Sequence, residues 1–189
     1  MKISIEGNIG SGKSTLLTRL CQEYRIPVFL EPIGEWGEWL DLFYKDPFRW
    51  GMSFNLKVLL SFNKWKKNNF VALYERSPLS NRYVFAQLQH DDGNMNALEL
   101  KLFQNVYDEL GWEPEIVIYL RTNPDTSMQR MKTRDRACEK QVELSYIQSV
   151  HNKYESLFSS RDNTYIIDGN QDCDAVYKDV VDVLNYILK

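Results

Sequence analysis

Short apolar runs alternate with longer amphipathic stretches along the whole chain. Five of the runs, at 3–5, 26–30, 70–75, 115–120 and 164–168, are typical of buried strands. Between them, apolar residues recur three and four positions apart, as on one face of a helix. Strands that alternate with helices form a parallel sheet covered by helices on both faces. We therefore predict a single α/β domain over residues 1–189 with a five-stranded parallel sheet.

The turn between the first predicted strand and the next helix is rich in glycine. Gly7, Gly12, Lys13 and Ser14 match the phosphate-loop pattern G-x-x-x-x-G-K-[ST]. Glycines let successive backbone N–H groups point at a phosphate, and the start of a helix adds partial positive charge. Lys13 can reach the β- and γ-phosphates, and the Ser14 hydroxyl can ligate Mg²⁺. The loop residues predicted to bind the phosphates are Gly7, Asn8, Ile9, Gly10, Ser11, Gly12, Lys13, Ser14 and Thr15. With the strand pattern, this loop predicts a three-layer P-loop NTPase fold.

Two predicted strands end in a carboxylate, Glu31 and Glu75. Open α/β sheets bind their ligands in the crevice beyond the carboxyl ends of the strands, so both side chains are candidates for a site there. An ordinary loop glutamate before Pro32 is the alternative for Glu31. After Glu75, we predict a helix with Ser77 as its N-cap and Pro78 at its first position.

Polar side chains interrupt two apolar helix faces. Asn55 lies on the apolar face of a helix predicted from about residue 48 to 68, where an amide must either pair with a backbone group or meet a polar ligand. Asn81 and Phe85, four residues apart, share a face of the following helix, which we expect to line the same crevice.

A cluster of cations lies near residue 133. Arg130, Lys132, Arg134 and Arg136 occur within seven residues, and Glu139 follows them. This pattern is either a solvated helix end or a set of cations that approaches the γ-phosphate from the side opposite the loop.

Composition narrows the class of protein. The formal net charge of −3 argues against a surface that wraps nucleic acid. The three cysteines lie far apart and predict neither a zinc site nor a disulfide framework, which favours a reducing compartment. The chain begins almost directly on its first strand and contains no apolar run near the roughly 20 residues of a membrane span. We expect a soluble, cytoplasmic protein that contacts neither membrane nor nucleic acid.

Taken in order, several motifs resemble the deoxynucleoside kinase family, which includes deoxycytidine, deoxyguanosine and mitochondrial thymidine kinases. The similarity runs along nearly the whole chain. The markers are the phosphate loop, Glu31-Pro32-x-x-x-Trp36, Tyr44-Lys45-Asp46-Pro47, Glu75-Arg76-Ser77 and the arginine-rich lid from Arg130 to Glu139. The resemblance implies an ATP-dependent kinase that phosphorylates the 5′-hydroxyl of a deoxynucleoside, with Mg²⁺ as cofactor, and it also implies a homodimer.

The resemblance further implies roles for single residues. Glu31 would be the general base, Arg76 would hold Glu31 and the 5′-oxygen, and Glu75 would bind Mg²⁺ directly or through water. The residues expected to neutralise phosphoryl charge are Lys13, Arg130, Arg134 and Arg136. The residues expected around the nucleoside are Tyr44 and Glu139 at the 3′-hydroxyl, Trp36, Phe54 and Phe85 as an aromatic slot, and Asn55, Phe62 and Asn81 near the base.

The chain departs from the family pattern at four positions. Asn55 stands where the family usually has Gln. Phe62 and Asn81 stand where purine- and cytosine-handling animal enzymes tend to have Arg and Asp. These differences favour thymidine and other pyrimidine deoxynucleosides, or a broad substrate range. Cys138 replaces a lid carboxylate, and the short N-terminus favours a compact viral or bacterial-like form.

Two other functions fit a phosphate loop. A thymidylate-kinase-like nucleoside monophosphate kinase shares the loop and a lid, but a carboxylate such as Glu31 would repel the phosphate of its acceptor. A non-catalytic nucleotide-binding module or GTPase-like switch is the second alternative. Asn63-Lys64-Trp65-Lys66 lacks the aspartate of the guanine-reading N-K-x-D motif, which argues against a GTPase.

Overall fold

The computed structural model describes residues 1–136 and 139–189 and contains the predicted parallel sheet. The strands are β1 (Lys2–Gly7), β2 (Val28–Phe29), β3 (Ala72–Glu75), β4 (Ile116–Arg121) and β5 (Thr164–Asp168). They pair in the order β2-β3-β1-β4-β5, so that β1 lies in the centre. In register, Ile3 is opposite Leu73 on one side and Ile116 on the other. The loop after β1 therefore lies in the middle of the carboxyl edge of the sheet.

Helices cover both faces, which confirms the three-layer fold. They are α1 (Lys13–Glu23), α2 (Ile33–Lys45), α3 (Pro47–Asn63), α4 (Pro78–Ser80), α5 (Gln87–Asp91), α6 (Ala97–Leu110), α7 (Pro124–Arg134), α8 (Leu144–Phe158) and α9 (Cys173–Ile187). A π-helical segment, Asn81–Ala86, joins α4 to α5. Within the described ranges, no helix is both long enough and apolar enough to cross a membrane.

Alternation along the strands separates two apolar cores. Ile5 and Ile118 point to the face covered by α1 and α9. Val117 and Tyr119 point to the opposite face, where Tyr119 stacks on Tyr154 of α8. Since successive strand residues face opposite sides of the sheet, the residues of β4 contribute alternately to one core and to the other.

Helix α3 differs from its predicted range. It begins at Pro47, where the Asp46 side chain accepts a hydrogen bond from the Arg49 N–H at 3.0 Å, and it ends at Asn63 instead of near residue 68. After Asn63, the Trp65 N–H donates to the Phe62 carbonyl at 3.1 Å, so the helix tightens into turns that lead back towards β3.

Candidate active site

A cleft opens at the carboxyl edge of the sheet, between the phosphate loop and the helices that follow β2 and β3. The residues that line it are Ile9, Gly10, Gly12, Lys13, Ser14, Thr15, Glu31, Ile33, Trp36, Leu40, Phe43, Tyr44, Phe54, Asn55, Val58, Glu75, Arg76, Asn81, Phe85, Gln89, Arg134, Arg136, Glu139 and Tyr146. Most of the predicted site residues are therefore brought together, although 130 positions in sequence separate Ile9 of the loop from Glu139 of the lid.

The phosphate loop is held by Lys13. Its ammonium donates to the carbonyls of Gly7 at 3.1 Å and Asn8 at 2.7 Å. Burial, assisted by the nearby Arg76 charge, lowers the pKa of Lys13 to about 7. A phosphate bound in the loop would bring a negative charge next to this amine and favour its positively charged form. Lys13 is therefore placed to pair with the phosphates of the donor nucleotide.

Gly10 touches the lid helix directly. Its φ is +77°, and a Cβ at this position would lie 2.3 Å from the Ser127 carbonyl oxygen of α7. Only glycine fits both the left-handed backbone and this contact. The loop and the base of the lid are consequently packed against each other.

Not every predicted loop residue faces the cleft. The Asn8 side chain accepts a hydrogen bond from the Ile9 N–H at 2.8 Å and donates to the Ile147 carbonyl of α8 at 2.9 Å. Asn8 and Gly7 thus support the loop from beneath, and the described lining of the cleft does not include them. Ser11 lines a second pocket instead.

Glu31 and Arg76 form a buried ion pair beside the loop. The Arg76 Nη1 donates to Glu31 Oε2 at 2.5 Å, and the two side chains are only 8% and 7% exposed. Burial raises the pKa of Glu31, while the Arg76 charge opposes this rise. A carboxylate with an elevated pKa and a fixed partner can orient a hydroxyl group and accept its proton.

Glu75 lies next to this pair and faces Ser14. The Ser14 hydroxyl donates to Glu75 Oε1 at 2.6 Å, and the Glu31 backbone N–H donates to Glu75 Oε2 at 3.3 Å. A hydroxyl at the start of α1 and a carboxylate at the end of β3 are the hard oxygen donors that Mg²⁺ accepts beside waters and phosphate oxygens. The donor set therefore fits this ion.

Ser77 occupies the N-cap position as predicted, but its side chain does not cap the helix. Its hydroxyl donates instead to Glu6 Oε1 of β1 at 2.7 Å. A capping serine would accept a hydrogen bond from a helix N–H, whereas Ser77 donates its proton to a buried carboxylate, so a tertiary contact and not the helix end orients this side chain.

The far end of the cleft combines aromatic rings with amides. Phe54 packs edge-on against Trp36 and stacks on Phe43, with ring centroids 6.1 and 5.0 Å apart respectively. Asn55 Nδ2 donates to the Gly51 carbonyl at 2.8 Å, and Asn55 Oδ1 accepts from Asn81 Nδ2 at 3.0 Å. Asn55 thus has the backbone partner that one of the two alternatives required, and it also lines the cleft, where contact with a polar ligand stays a prediction.

Asn81 Oδ1 is buried without a hydrogen-bond partner. Buried acceptors are normally paired. Since Asn81 lines the cleft, a ligand donor there is the natural partner for this oxygen.

Phe62 lies behind the slot and not in it. It is 1% exposed and packs edge-on against Trp36, and the described lining of the cleft does not include it. Phe62 packs with Trp36, Phe54 and Val58, which do line the cleft, so in this arrangement it supports the slot from behind. Its contact with the substrate stays a prediction.

Six lining residues were missing from the sequence-based set, namely the apolar Ile33, Leu40, Phe43 and Val58 and the polar Gln89 and Tyr146. Gln89 follows Asn81 and Phe85 at the same spacing of four, so extending that face by one turn would have found it. Tyr146 comes from the first turn of α8, and no local pattern marks it.

The lid arginines separate into two groups. Arg134 donates to both Glu139 oxygens, at 2.6 and 2.7 Å, and Arg136 donates to Glu139 Oε1 at 3.4 Å, within the cleft. Arg130 instead donates to the Gly169 carbonyl at 2.7 Å and the Gln171 carbonyl at 3.2 Å. Arg130 also donates to the Ser11 carbonyl of the phosphate loop at 3.5 Å, so it lines the second pocket beside the loop and not the cleft that holds Glu31. Cys138, which stands in place of a lid carboxylate, lies outside the described residues.

A second pocket lies beside the loop between α1, α7 and α9, and Arg130 lines it together with Ser11 and Thr15. On its wall, the Arg19 guanidinium lies 3.9 Å from the centroid of the Tyr177 ring. The loop thus has one pocket on each side, as a reaction between two substrates requires.

Comparison with known proteins identifies the family. The family model described as deoxynucleoside kinase matches residues 3–189. The chain belongs to the deoxynucleoside kinase family. A kinase protein of Invertebrate iridescent virus 3 is 34% identical over 191 residues, which cover 99% of this chain and 97% of that relative. Deoxycytidine kinase 2 of Gallus gallus is 33% identical, with 82% of this chain and 72% of the relative covered.

The fold agrees with this assignment. The structure of deoxyadenosine kinase from M. mycoides with the products dCMP and a flexible dCDP bound superimposes with a TM-score of 0.90. The match covers 99% of this chain and 100% of the other at 24% identity. Family membership confirms the resemblance drawn from the motifs and makes this member a kinase of the nucleoside-phosphorylating type.

Proposed function

We propose that this deoxynucleoside kinase family member transfers the γ-phosphate of ATP to the 5′-hydroxyl of a deoxynucleoside. The 5′-oxygen attacks the γ-phosphorus, the bond from that phosphorus to the β–γ bridging oxygen breaks, the hydroxyl proton passes to Glu31, and ADP leaves. The observation that carries the proposal is the buried Glu31–Arg76 pair at the mouth of the phosphate loop. Phosphoryl transfer needs positioning and charge stabilisation more than covalent help, and this pair supplies a fixed acceptor for the proton.

The acceptor fits the larger cleft. Trp36, Phe54 and Phe85 offer apolar ring surfaces for the base. Tyr44 and Glu139 line the cleft and would hold the sugar 3′-hydroxyl. Glu139 would then exchange its lid arginines for the sugar as the substrate enters. Arg134 and Arg136 then become available to the transferred phosphoryl group.

The base end favours a pyrimidine. Among the described residues there, Asn55, Asn81 and Gln89 present amides, each with donor and acceptor atoms. An amide can bind a thymine edge in two places at once, but it can bind an adenine edge in the same way. The preference for a pyrimidine therefore rests on Phe62 and Asn81, which stand where purine- and cytosine-handling members of the family tend to have Arg and Asp. We propose thymidine and other pyrimidine deoxynucleosides as preferred substrates, within a broad range.

The donor fits the second pocket and the loop. ATP would place its phosphates against Gly12, Lys13 and Ser14, with its base near Arg19 and Tyr177. Ser14 and Glu75 would hold Mg²⁺, whose charge offsets that of the phosphates when the ion is bound.

We also propose a cytoplasmic homodimer. Leu60 of α3 and Leu98 and Leu102 of the adjacent α6 are 55%, 79% and 54% exposed, an apolar face that a second copy would cover. Cys21 and Cys173 are exposed free thiols, which suits a reducing compartment. Sedimentation of the wild type and of Leu98→Glu tests the dimer: a wild-type monomer contradicts it.

The deciding experiment is a phosphorylation assay. Thymidine, deoxycytidine, deoxyadenosine and deoxyguanosine are each offered with ATP and Mg²⁺, alongside the matching monophosphates and one ribonucleoside as controls. Transfer to deoxynucleosides with thymidine or deoxycytidine ahead supports the proposal. Transfer to monophosphates alone would favour the thymidylate-kinase-like alternative, and ATP binding with no transfer would favour a binding module.

A further inference from the structure

Arg76 is fixed on every nitrogen of its guanidinium. Nη1 donates to Glu31, Nη2 donates to the Gly7 carbonyl at 3.3 Å, and Nε donates to the Tyr154 hydroxyl at 3.0 Å. Its backbone is also unusual, with φ at +59°. A non-glycine residue keeps such a conformation only where its surroundings fix it from several directions. The orientation of Arg76 is therefore set by its partners and not by local preference.

The Tyr154 hydroxyl connects Arg76 to a carboxylate in the centre of the sheet. It accepts the hydrogen bond from Arg76 Nε and donates its own proton to Glu6 Oε2 at 3.4 Å. The other oxygen of Glu6 accepts from Ser77. Glu6 and Tyr154 are both fully buried. A phenol has one proton to donate, so the Glu6 carboxylate determines which way the hydroxyl lone pairs face.

The buried contact between Glu6 and Tyr154 costs more free energy than apolar side chains that only filled the same space. A buried carboxylate loses hydration that an apolar residue of similar size would not need, and replacing such groups by apolar ones is often neutral or stabilising. Complete burial raises the pKa of Glu6 to about 7, although the Ser77 hydrogen bond opposes the rise. Neither Glu6 nor Tyr154 lines the cleft as described, so their polar atoms reach the substrate only through Arg76.

We propose that Tyr154 is a positioning residue, which with Glu6 holds the Arg76 guanidinium in the plane that directs Glu31 at the acceptor hydroxyl. This inference rests on the proposed function, since it assigns Tyr154 to the same phosphoryl transfer. Removing the hydroxyl leaves Arg76 Nε and one Glu6 oxygen unpaired while the volume of the side chain stays nearly the same. Arg76 can then rotate, and Glu31 loses its fixed direction.

Tyr119 supplies a matched control. Its ring is stacked on Tyr154, with centroids 5.7 Å apart and planes at 9°, and its hydroxyl donates to Glu155 Oε1 at 2.8 Å, away from Arg76. Tyr154→Phe and Tyr119→Phe thus remove a buried hydroxyl from the same aromatic stack. Only the first of them touches the guanidinium.

The test measures kcat, the KM of the deoxynucleoside and the dissociation constant of ATP for wild type and both variants. We expect Tyr154→Phe to lower kcat about tenfold or more and to change ATP affinity less than about threefold, because the lost hydrogen bond involves a charged group. Tyr119→Phe should keep kcat within about twofold of wild type. Equal kcat in wild type and Tyr154→Phe, or equal losses in the two variants, would overturn the inference.

Glu6→Gln covers the case in which Tyr154→Phe does not fold. Assayed at pH 8, where Glu6 is ionised, it removes the carboxylate that accepts the proton of the same hydroxyl. The kcat should again fall while ATP affinity is kept, and an unchanged kcat would overturn the inference. The proposed function is checked separately by the wild type: if it phosphorylates no deoxynucleoside, the function fails before the variants are compared.

Discussion

Replacing Glu6 by glutamine removes a charge from the middle of the sheet and keeps the shape of the side chain. In the folded protein the pKa of Glu6 is raised by burial from 4.5 to about 7. The folded state therefore retains a proton that the unfolded chain releases above pH 4.5, and the stability contributed by this proton is lost as pH rises through 7. At about 1.4 kcal/mol per pH unit over that interval, the free energy of unfolding falls by about 3 kcal/mol.

Glu6→Gln should not show this loss. The difference in unfolding free energy between the variant and wild type should grow by about 3 kcal/mol from pH 4.5 to pH 7 and then stay level, with the variant the more stable above neutral pH. Urea unfolding at pH 5, 6, 7 and 8 measures the difference, and other titrating groups cancel because both proteins carry them. If Glu6→Gln unfolds with a higher free energy than wild type and yet has a lower kcat, the lower kcat cannot be caused by a loss of stability. Glu6 would then act in the reaction and not in folding.

Glu155→Gln is the control with the opposite sign. Partial burial opposes the effect, but hydrogen bonds from Arg121 and Tyr119 lower the pKa of Glu155 overall. Its contribution to stability is present above the unfolded pKa and is lost as pH falls, so this variant should approach wild-type stability in acid. A Glu6→Gln difference that does not change between pH 5 and pH 8 would refute the reasoning about Glu6.

Three further predictions address the cleft and the lid. Glu31→Gln should lower turnover by about 10²-fold or more and leave ATP affinity intact, whereas the exposed Glu38→Gln should change neither; normal turnover in Glu31→Gln would remove it as the base. Asn55→Gln should alter the ranking of the four deoxynucleosides if Asn55 contacts the base, and a uniform loss across all four would indicate a packing role. Gly10→Ala should lower stability by about 1–3 kcal/mol in thermal unfolding, because the new Cβ would meet the Ser127 carbonyl and the φ is positive; an unchanged melting temperature would contradict this packing of loop against lid.

The sequence by itself determined the sheet, the loop and the place of the cleft. In the sequence the strands are short apolar runs. The bounds of β5 were predicted as they are observed, because turn residues and the start of the next helix limit where this strand can end. Lys13 opens α1 as predicted, because the glycines before it leave one way to enter a helix. Glu31, Glu75 and Asn55 were singled out by their position at strand ends or on an apolar stripe, both of which are local properties, whereas the role of Arg76 came only from the family resemblance.

Only the tertiary structure decided which partner each polar group takes. Ser77 leaves its helix end for Glu6, and Arg130 turns to the carbonyls after β5 while Arg134 stays in the cleft. Phe62 is covered by a tryptophan from a different helix. These outcomes depend on groups dozens of residues away, whose approach is set by the packing of whole elements and not by any spacing in the chain. The same is true of Tyr154, whose link to Arg76 exists because α8 packs on β4 and is bonded to the phosphate loop through Asn8.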